Sequence, residues 1–250
     1  MSNNSIVIYT AIFGGYEGLL PQRQLPGVDY ICFSDRPVRA KPWTVHRVVK
    51  PYDDPTRCAR NFKILPHRYL ASYDCSIWID GNYLVVGDIT TLIADTLENC
   101  NMAYFDHKAS MGDARDCVYD EYAAILQLGN ESGKFKDDPE VMRRQIERYR
   151  KEGYPARNGL IFSSVLIRRH AADDVIATMN RWWSELSQGS KRDQLSFNYA
   201  AWRESLATSI IHENVRNNRW FFQIGKHRKN YRMKLLRYRL KRLLGLLKHT

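Results

Sequence analysis

Apolar positions along this chain fall into two alternating kinds of segment. Short runs rich in β-branched and aromatic residues occupy 6–12, 29–33, 43–49, 76–79, 102–105 and 159–167. Such runs predict buried strands when they are bounded by Gly, Pro, Asp or Ser. Between them, residues 56–70, 89–97, 117–128, 139–152, 171–186 and 193–202 carry apolar side chains at helical intervals, with Pro66 inside the first stretch and Asp193 opening the last. An acidic residue at a helix start is favourable toward the helix dipole. Strands alternating with helices predict an α/β domain with a mixed, mostly parallel sheet flanked by helices. In such sheets ligands gather at the carboxyl ends of the strands. Three of the predicted strands end in aspartate, at Asp35, Asp80 and Asp106, which predicts a polar rim along one sheet edge.

Composition narrows the class. The 250 residues are 44% hydrophobic and 12% aromatic, which suits a packed core rather than a disordered chain. Cys32, Cys58, Cys75, Cys100 and Cys117 are scattered singly with no C-x-x-C pair, which argues against zinc and against a disulfide framework. No apolar run is long enough to span a bilayer. The polar start and the shortness of the 6–13 run do not fit a signal peptide, so a cytoplasmic location is expected.

The net charge of +11 is local: of 38 Lys and Arg, ten lie in residues 226–250 beside no Asp or Glu, leaving 28 basic against 27 acidic groups elsewhere. The organisation expected is therefore a nearly neutral domain over residues 1–225 and a basic tail over 226–250. In that tail Leu236, Leu240, Leu243, Leu244 and Leu247 recur at helical spacing among Lys and Arg. A basic amphipathic helix predicts attachment to an anionic membrane surface, here the inner face. The same charge would also attract nucleic acid, but the body carries no recognised nucleic-acid motif and the leucines want an apolar partner. Docking on the chain's own domain or on a protein partner is the third option.

Four segments carry candidate chemistry. In Ser76-Ile77-Trp78-Ile79-Asp80-Gly81-Asn82, strand alternation puts residues two apart on one side, so Asp80 and Asn82 are expected to face one Mg²⁺ or Mn²⁺. The plainer alternative is an Asp-Gly-Asn turn. Tyr9-Thr10-Ala11-Ile12-Phe13-Gly14-Gly15 ends a strand on small residues that let a base or phosphate approach the backbone; it is neither G-x-G-x-x-G nor a P-loop. Arg57, Arg60, Lys63 and His67 stand at helical intervals and predict one basic face suited to a diphosphate, or a solvated helix face. Lys191-Arg192-Asp193-Gln194 opens an apolar helix, where Asp193 is also an ordinary N-cap choice.

Taken in order, these segments resemble retaining glycosyltransferases of family 8 with the GT-A (Rossmann-like) fold. They resemble more closely a glycosyltransferase-like family called domain of unknown function 616, with members in bacterial polysaccharide loci and in plants. The matching stretches are Tyr9 to Gly14, Cys32-Phe33-Ser34-Asp35, Ala59 to His67, Ser76 to Asn82 and Arg192 to Phe197. The resemblance implies a nucleotide-sugar donor, a UDP-sugar first, and a divalent cation, Mn²⁺ or Mg²⁺. It implies Asp80 as the first ligand, Asn82 where a second Asp is usual (one charge fewer), and His227 or else His212 as a further ligand. The donor side would comprise Tyr9, Thr10, Ala11, Phe13, Asp35, Arg60, Lys63, His67, Asp80, Gly81 and Lys226. Asp193 and Gln194 would lie beneath the sugar, and Asp116 or Glu121 would orient the hydroxyl of a glycan or lipid-linked acceptor. The expected activity is sugar transfer in surface polysaccharide synthesis. A non-catalytic nucleotide-sugar-binding module and a basic-tail nucleic-acid-binding protein are the alternatives from other classes.

Overall fold

Among the described residues, six of the seven strands in the central sheet run one way. The computed structural model describes residues 5–227 and 229–247. Met1 to Asn4, Arg228 and Lys248 to Thr250 lie outside the described residues, and with them the polar start and part of the expected tail. The strands are β1 (Ile6–Ile12), β2 (Val28–Ser34), β3 (Thr44–Arg47), β4 (Cys75–Ile79), β6 (Met102–Asp106), β7 (Ile161–Arg168) and β8 (Ser209–Ile211). Their order across the sheet is β3-β2-β1-β4-β7-β6-β8. β7 alone is antiparallel to its neighbours β4 and β6. A separate two-stranded ribbon pairs β5 (Tyr83–Val85) with β9 (Phe221–Gln223).

The helices are α1 (Pro55–Ile64), α2 (Ile89–Thr96), α3 (Val118–Ser132), α4 (Pro139–Lys151), α5 (Asp173–Gln188), α6 (Phe197–Arg203) and α7 (Arg232–Leu243). Asp54, Asp88 and Asp138 cap α1, α2 and α4 by accepting backbone N–H groups of the first turn.

Alternation along the strands builds two cores. Ile6, Ile8 and Ile12 of β1, with Ile77 and Ile79 of β4, pack on one face against α2, Trp220 and Phe221. Val7, Tyr9, Ala11 and Trp78 face the other way, toward Phe62 and Ile64 of α1, Met179 and Trp182 of α5, and Phe197 of α6. Burial on both faces is why these strands read as continuous apolar runs.

Two expected helices are broken. The stretch 56–70 ends as a helix at Ile64 and continues as a single 3-10 turn, Pro66–Arg68. Pro66 has no N–H to donate back along the helix and restricts the residue before it. The stretch 193–202 opens with a 3-10 turn, Asp193–Leu195, before α6 begins. Asp193 caps nothing there, because its side chain is engaged elsewhere. The strand expected over 43–49 is the four-residue edge strand β3.

Candidate functional site

The parallel strands place the ends of β2, β4 and β6 on one edge, so Asp35, Asp80 and Asp106 share the expected rim. Antiparallel β7 brings its first residues to that same edge. Alternation then decides where Asp80 points. Trp78 faces the α1/α5 core, and two residues on Asp80 faces the same side. The Trp78 indole Nε1 donates to Asp80 Oδ1 at 2.9 Å, and the Asp80 N–H donates to Ser164 O at 2.9 Å.

Alternation stops there. Tyr83 N–H donates to Asp80 O at 3.0 Å, closing a turn over Asp80 to Tyr83. Asn82 therefore does not continue the strand. Its amide Nδ2 donates to Gly225 O at 2.6 Å, its own carbonyl accepts from Ile224 N at 3.0 Å, and the residue is 1% exposed. Asn82 lies outside the lining of the cleft described below. The expectation that strand geometry aims Asp80 and Asn82 at one ion is corrected by this turn.

Asp193 forms the floor. It is 2% exposed, and its Oδ2 accepts from Lys63 Nζ at 2.6 Å and from Ser163 Oγ at 3.0 Å, with Arg60 Nε at 3.2 Å. Its backbone carbonyl accepts from Trp182 Nε1 at 3.0 Å. Burial on its own would raise this carboxyl. The charges of Arg60, Lys63 and Arg192 outweigh it and hold Asp193 well below the usual carboxylate range. Lys63 is fully buried and its Nζ also lies 3.8 Å from Asp80 Oδ1, so one ammonium joins the two carboxylates. Behind it, buried Arg168 and the Tyr9 hydroxyl both donate to Lys63 O, each at 2.9 Å, fixing the end of α1.

The expected basic face of α1 is not formed. Arg57 turns away and donates to the carbonyls of Leu186 and Gly189, Lys63 is internal, and His67 lies beyond the helix end in the 3-10 turn. Arg60 alone of the four lines the cleft. The reason is long-range: Asp193 and the end of α5 supply partners that the local spacing cannot announce.

The opposite wall comes from the loop after β1 and the segment after β9. His227 Nδ1 lies 2.6 Å from Glu17 Oε2, which also accepts from the Tyr231 hydroxyl at 2.8 Å. The Tyr16 and His227 rings approach to 5.2 Å. Burial disfavours the His227 cation, but Glu17, with help from Asp80, outweighs burial and raises its pKa. Gly81 leaves room for this wall, since a Cβ at that position would sit 2.5 Å from Glu17 Oε1 and would displace the carboxylate that holds His227. The boundary drawn after residue 225 from charge alone falls inside these contacts.

Between the walls is a cleft of about 560 Å³. Its third side carries Lys136, Lys191 and Arg192. Lys191 pairs with Asp54 at 2.9 Å and Arg192 lies 3.9 Å from Glu121. Burial and the neighbouring Arg192 charge push the Lys136 ammonium down. Cations crowded at a cleft wall favour an anionic ligand.

Ala11, Phe13, Arg60, Asp80, Gly81, Asp193, Gln194 and His227 thus come together around one cavity. Tyr9, Thr10 and Lys63 are buried behind it. Asp35 accepts from Gly14 N–H at 3.1 Å, holding the loop after β1. Lys226 is exposed. Asp116 pairs with Lys108 at 3.2 Å, while Glu121 is buried against Arg115 at 2.6 Å. His212 is mostly exposed, 3.1 Å from Asp106, and does not line the cleft. The motif reading did not select Tyr16, Glu17, Trp78, Lys136, Phe162, Ser163 or Ser164. Two serines inside the apolar 159–167 run were a visible signal; the others had none.

Among the described residues, no group of three or more His, Cys, Asp or Glu is arranged to hold a metal ion. Of the cleft's lining residues, Asp80 and His227 are the ones that could share a hard cation with substrate phosphates, Glu17 holding the His227 ring at Nδ1. They do not make an all-protein cage.

Two comparisons bear on this geometry. The family described as TOD1/MUCI70, glycosyltransferase-like domain, matches residues 37–227, more than half of the chain. No curated protein matches the chain. The matched span includes α1, β4, β7, the Asp193 turn and His227, and the mostly parallel mixed sheet flanked by helices is consistent with a GT-A-like fold.

Proposed function

Because the chain belongs to the TOD1/MUCI70 glycosyltransferase-like domain family, we propose that it transfers a sugar from a nucleoside-diphosphate donor to a hydroxyl acceptor in the cleft beneath the ends of β1 and β4. The observation that carries this reading is the Asp193 carboxylate, kept ionised on the cleft floor by Lys63 and Arg60 beside Asp80. As the bond from the anomeric carbon to the diphosphate breaks, positive charge grows on the sugar ring and negative charge on the leaving group. A fixed carboxylate stabilises the first and fixed cations the second, without reorganisation at the moment of reaction.

Asp193 faces the ring in this reading, and Gln194, whose amide donates to Ile161 O at 3.1 Å, shapes the same floor. Arg60, Lys136, Lys191 and Arg192 receive the diphosphate. A divalent cation, when bound at Asp80 and His227, supplies further positive charge to that leaving group. Glu121 acts at a distance, by orienting Arg192. The resemblance to family 8 makes a UDP-sugar the first donor to try and retention of anomeric configuration the expected outcome. The acceptor class proposed is a glycan or lipid-linked hydroxyl in surface polysaccharide assembly.

Calorimetric titration with a panel of nucleoside diphosphates, with Mn²⁺ and with a chelator, tests the reading. One diphosphate is expected to bind, with affinity lowered at least about tenfold in Arg192→Ala, the effect of losing a charged hydrogen bond. Mn²⁺-dependent binding that is lost in Asp80→Ala supports the cation. Absence of binding by every nucleotide contradicts the reading.

A further inference from the structure

Helix α7 lies outside the family-matched span, and its two faces are both apolar. One face is satisfied: Leu235 and Tyr238 pack with Tyr231 on Leu20, Leu84 and Ile224, covering the β5–β9 ribbon, and Leu247, expected on the leucine stripe, lies past the helix end and joins this cluster instead. The other is bare. Met233, Leu236, Leu240, Leu243 and Leu244 are between 54% and 84% exposed. At 3.6 residues per turn these five fall within an arc of about 100°. On the same wheel Arg232 and Arg239 flank one side of that arc, and Lys234, Arg237 and Lys241 the other. No Asp or Glu follows Glu213 in the chain.

We propose that α7 docks in the plane of an anionic lipid surface, with Leu236, Leu240 and Leu243 entering the acyl boundary and the flanking Lys and Arg meeting headgroup phosphates. Charge complementarity selects this occupant: a leucine stripe between two rows of cations, with no acidic side chain, matches apolar chains beneath a layer of phosphates. Long basic side chains bury their stems and keep their charges at the interface. A cavity of about 510 Å³ beside the stripe, bordered by Arg23, Arg239 and Arg242 with Leu84, Val86 and Leu243, gives a headgroup a concave seat. The helix starts shortly after His227, so docking brings the cleft wall to the membrane. The consequence that the acceptor is lipid-borne rests on the transferase reading; the docking does not.

The test is flotation of the full-length protein with phosphatidylcholine vesicles, with and without phosphatidylglycerol. The wild type floats with the anionic vesicles and binds neutral ones at least about tenfold less. Leu236→Ser/Leu240→Ser/Leu243→Ser, three exposed positions, loses flotation while melting temperature and nucleotide affinity stay unchanged. Arg237→Gln/Lys241→Gln weakens binding and removes part of its salt dependence. Equal binding to neutral vesicles, or no binding by the folded wild type, overturns the proposal. So does a dimer in light scattering that the serine variant dissociates, or RNA or DNA binding that the glutamine variant loses while vesicle binding is absent. Unchanged flotation of the serine variant overturns it too. Nucleotide affinity, read separately, reports on the transferase reading alone.

Discussion

Asp193 is a single carboxylate with two cations on it, and removing it shows what a buried ion cluster costs. Asp193→Asn leaves Lys63 fully buried without its closest counter-charge. Breaking such a pair from one side destabilises by about 3–5 kcal/mol, which chemical denaturation will read as a lower midpoint. Replacing both partners, Asp193→Asn with Lys63→Met, should recover part of that loss. The sign with pH follows from the lowered pKa. The stability that this carboxylate contributes is complete above the ordinary Asp value of about 3.9 and is lost only as pH falls below it. Asn82 makes the opposite point. Reading it as a weakened second Asp invites Asn82→Asp as a repair, yet its Nδ2 is committed to Gly225 O. An aspartate there sets a buried carboxylate against a carbonyl, and about 1–3 kcal/mol of destabilisation is expected, with no gain in Mn²⁺ affinity by calorimetry.

At the scale of elements, the chain's alternation announced β1, β4 and β7 because each is buried on both faces and long enough to show it. β5, β8 and β9 have three residues each, too few for any period to register. The 56–70 spacing predicts helix, which holds as far as Ile64, but not where its side chains go, since the pair Lys63–Asp193 spans 130 residues and the pair Glu17–His227 spans 210. Local pattern carries no information on such partners.

Two predictions belong to elements. His170, just past β7, is completely buried, with Nε2 2.9 Å from Leu70 O at the end of the α1 connection. Burial pushes its pKa down to about 4. The unfolded chain binds this proton below about pH 6.5 and the native chain only near pH 4, so stability falls as pH drops through that window, by about 3 kcal/mol. His170→Asn should lack this loss when its unfolding curves are compared with wild type from pH 7 to pH 4. Gly87 meets the β9 hairpin backbone: an added Cβ would lie 2.0 Å from Arg219 O. Gly87→Ala should therefore cost several kcal/mol by thermal unfolding, because backbone cannot swing aside as a side-chain tip can.

For the whole molecule, strand direction does most of the assembly. Parallel β1, β2, β4 and β6 deliver their ends to one edge, antiparallel β7 returns Ser163 and Ser164 there, and the chain's last third supplies Asp193 and His227. The α/β class and the Asp rim were legible because they need only run lengths and run endings. Lys191 and Arg192 stand out in the sequence only as neighbours of Asp193, and that Lys136 joins them in one cation wall was not legible, because loops assemble it. No helix among the described residues is long and apolar enough to cross a membrane. The central claim is that this cleft breaks a sugar–diphosphate bond, with Asp193 opposite the sugar. It is tested most directly by following UDP-sugars by proton NMR with wild type and Asp193→Asn, each first confirmed folded. The wild type is expected to release the nucleoside diphosphate from one donor, slowly into water without acceptor, and the variant to bind that donor yet release it at least about a hundredfold more slowly. Equal rates for the two proteins would contradict the account.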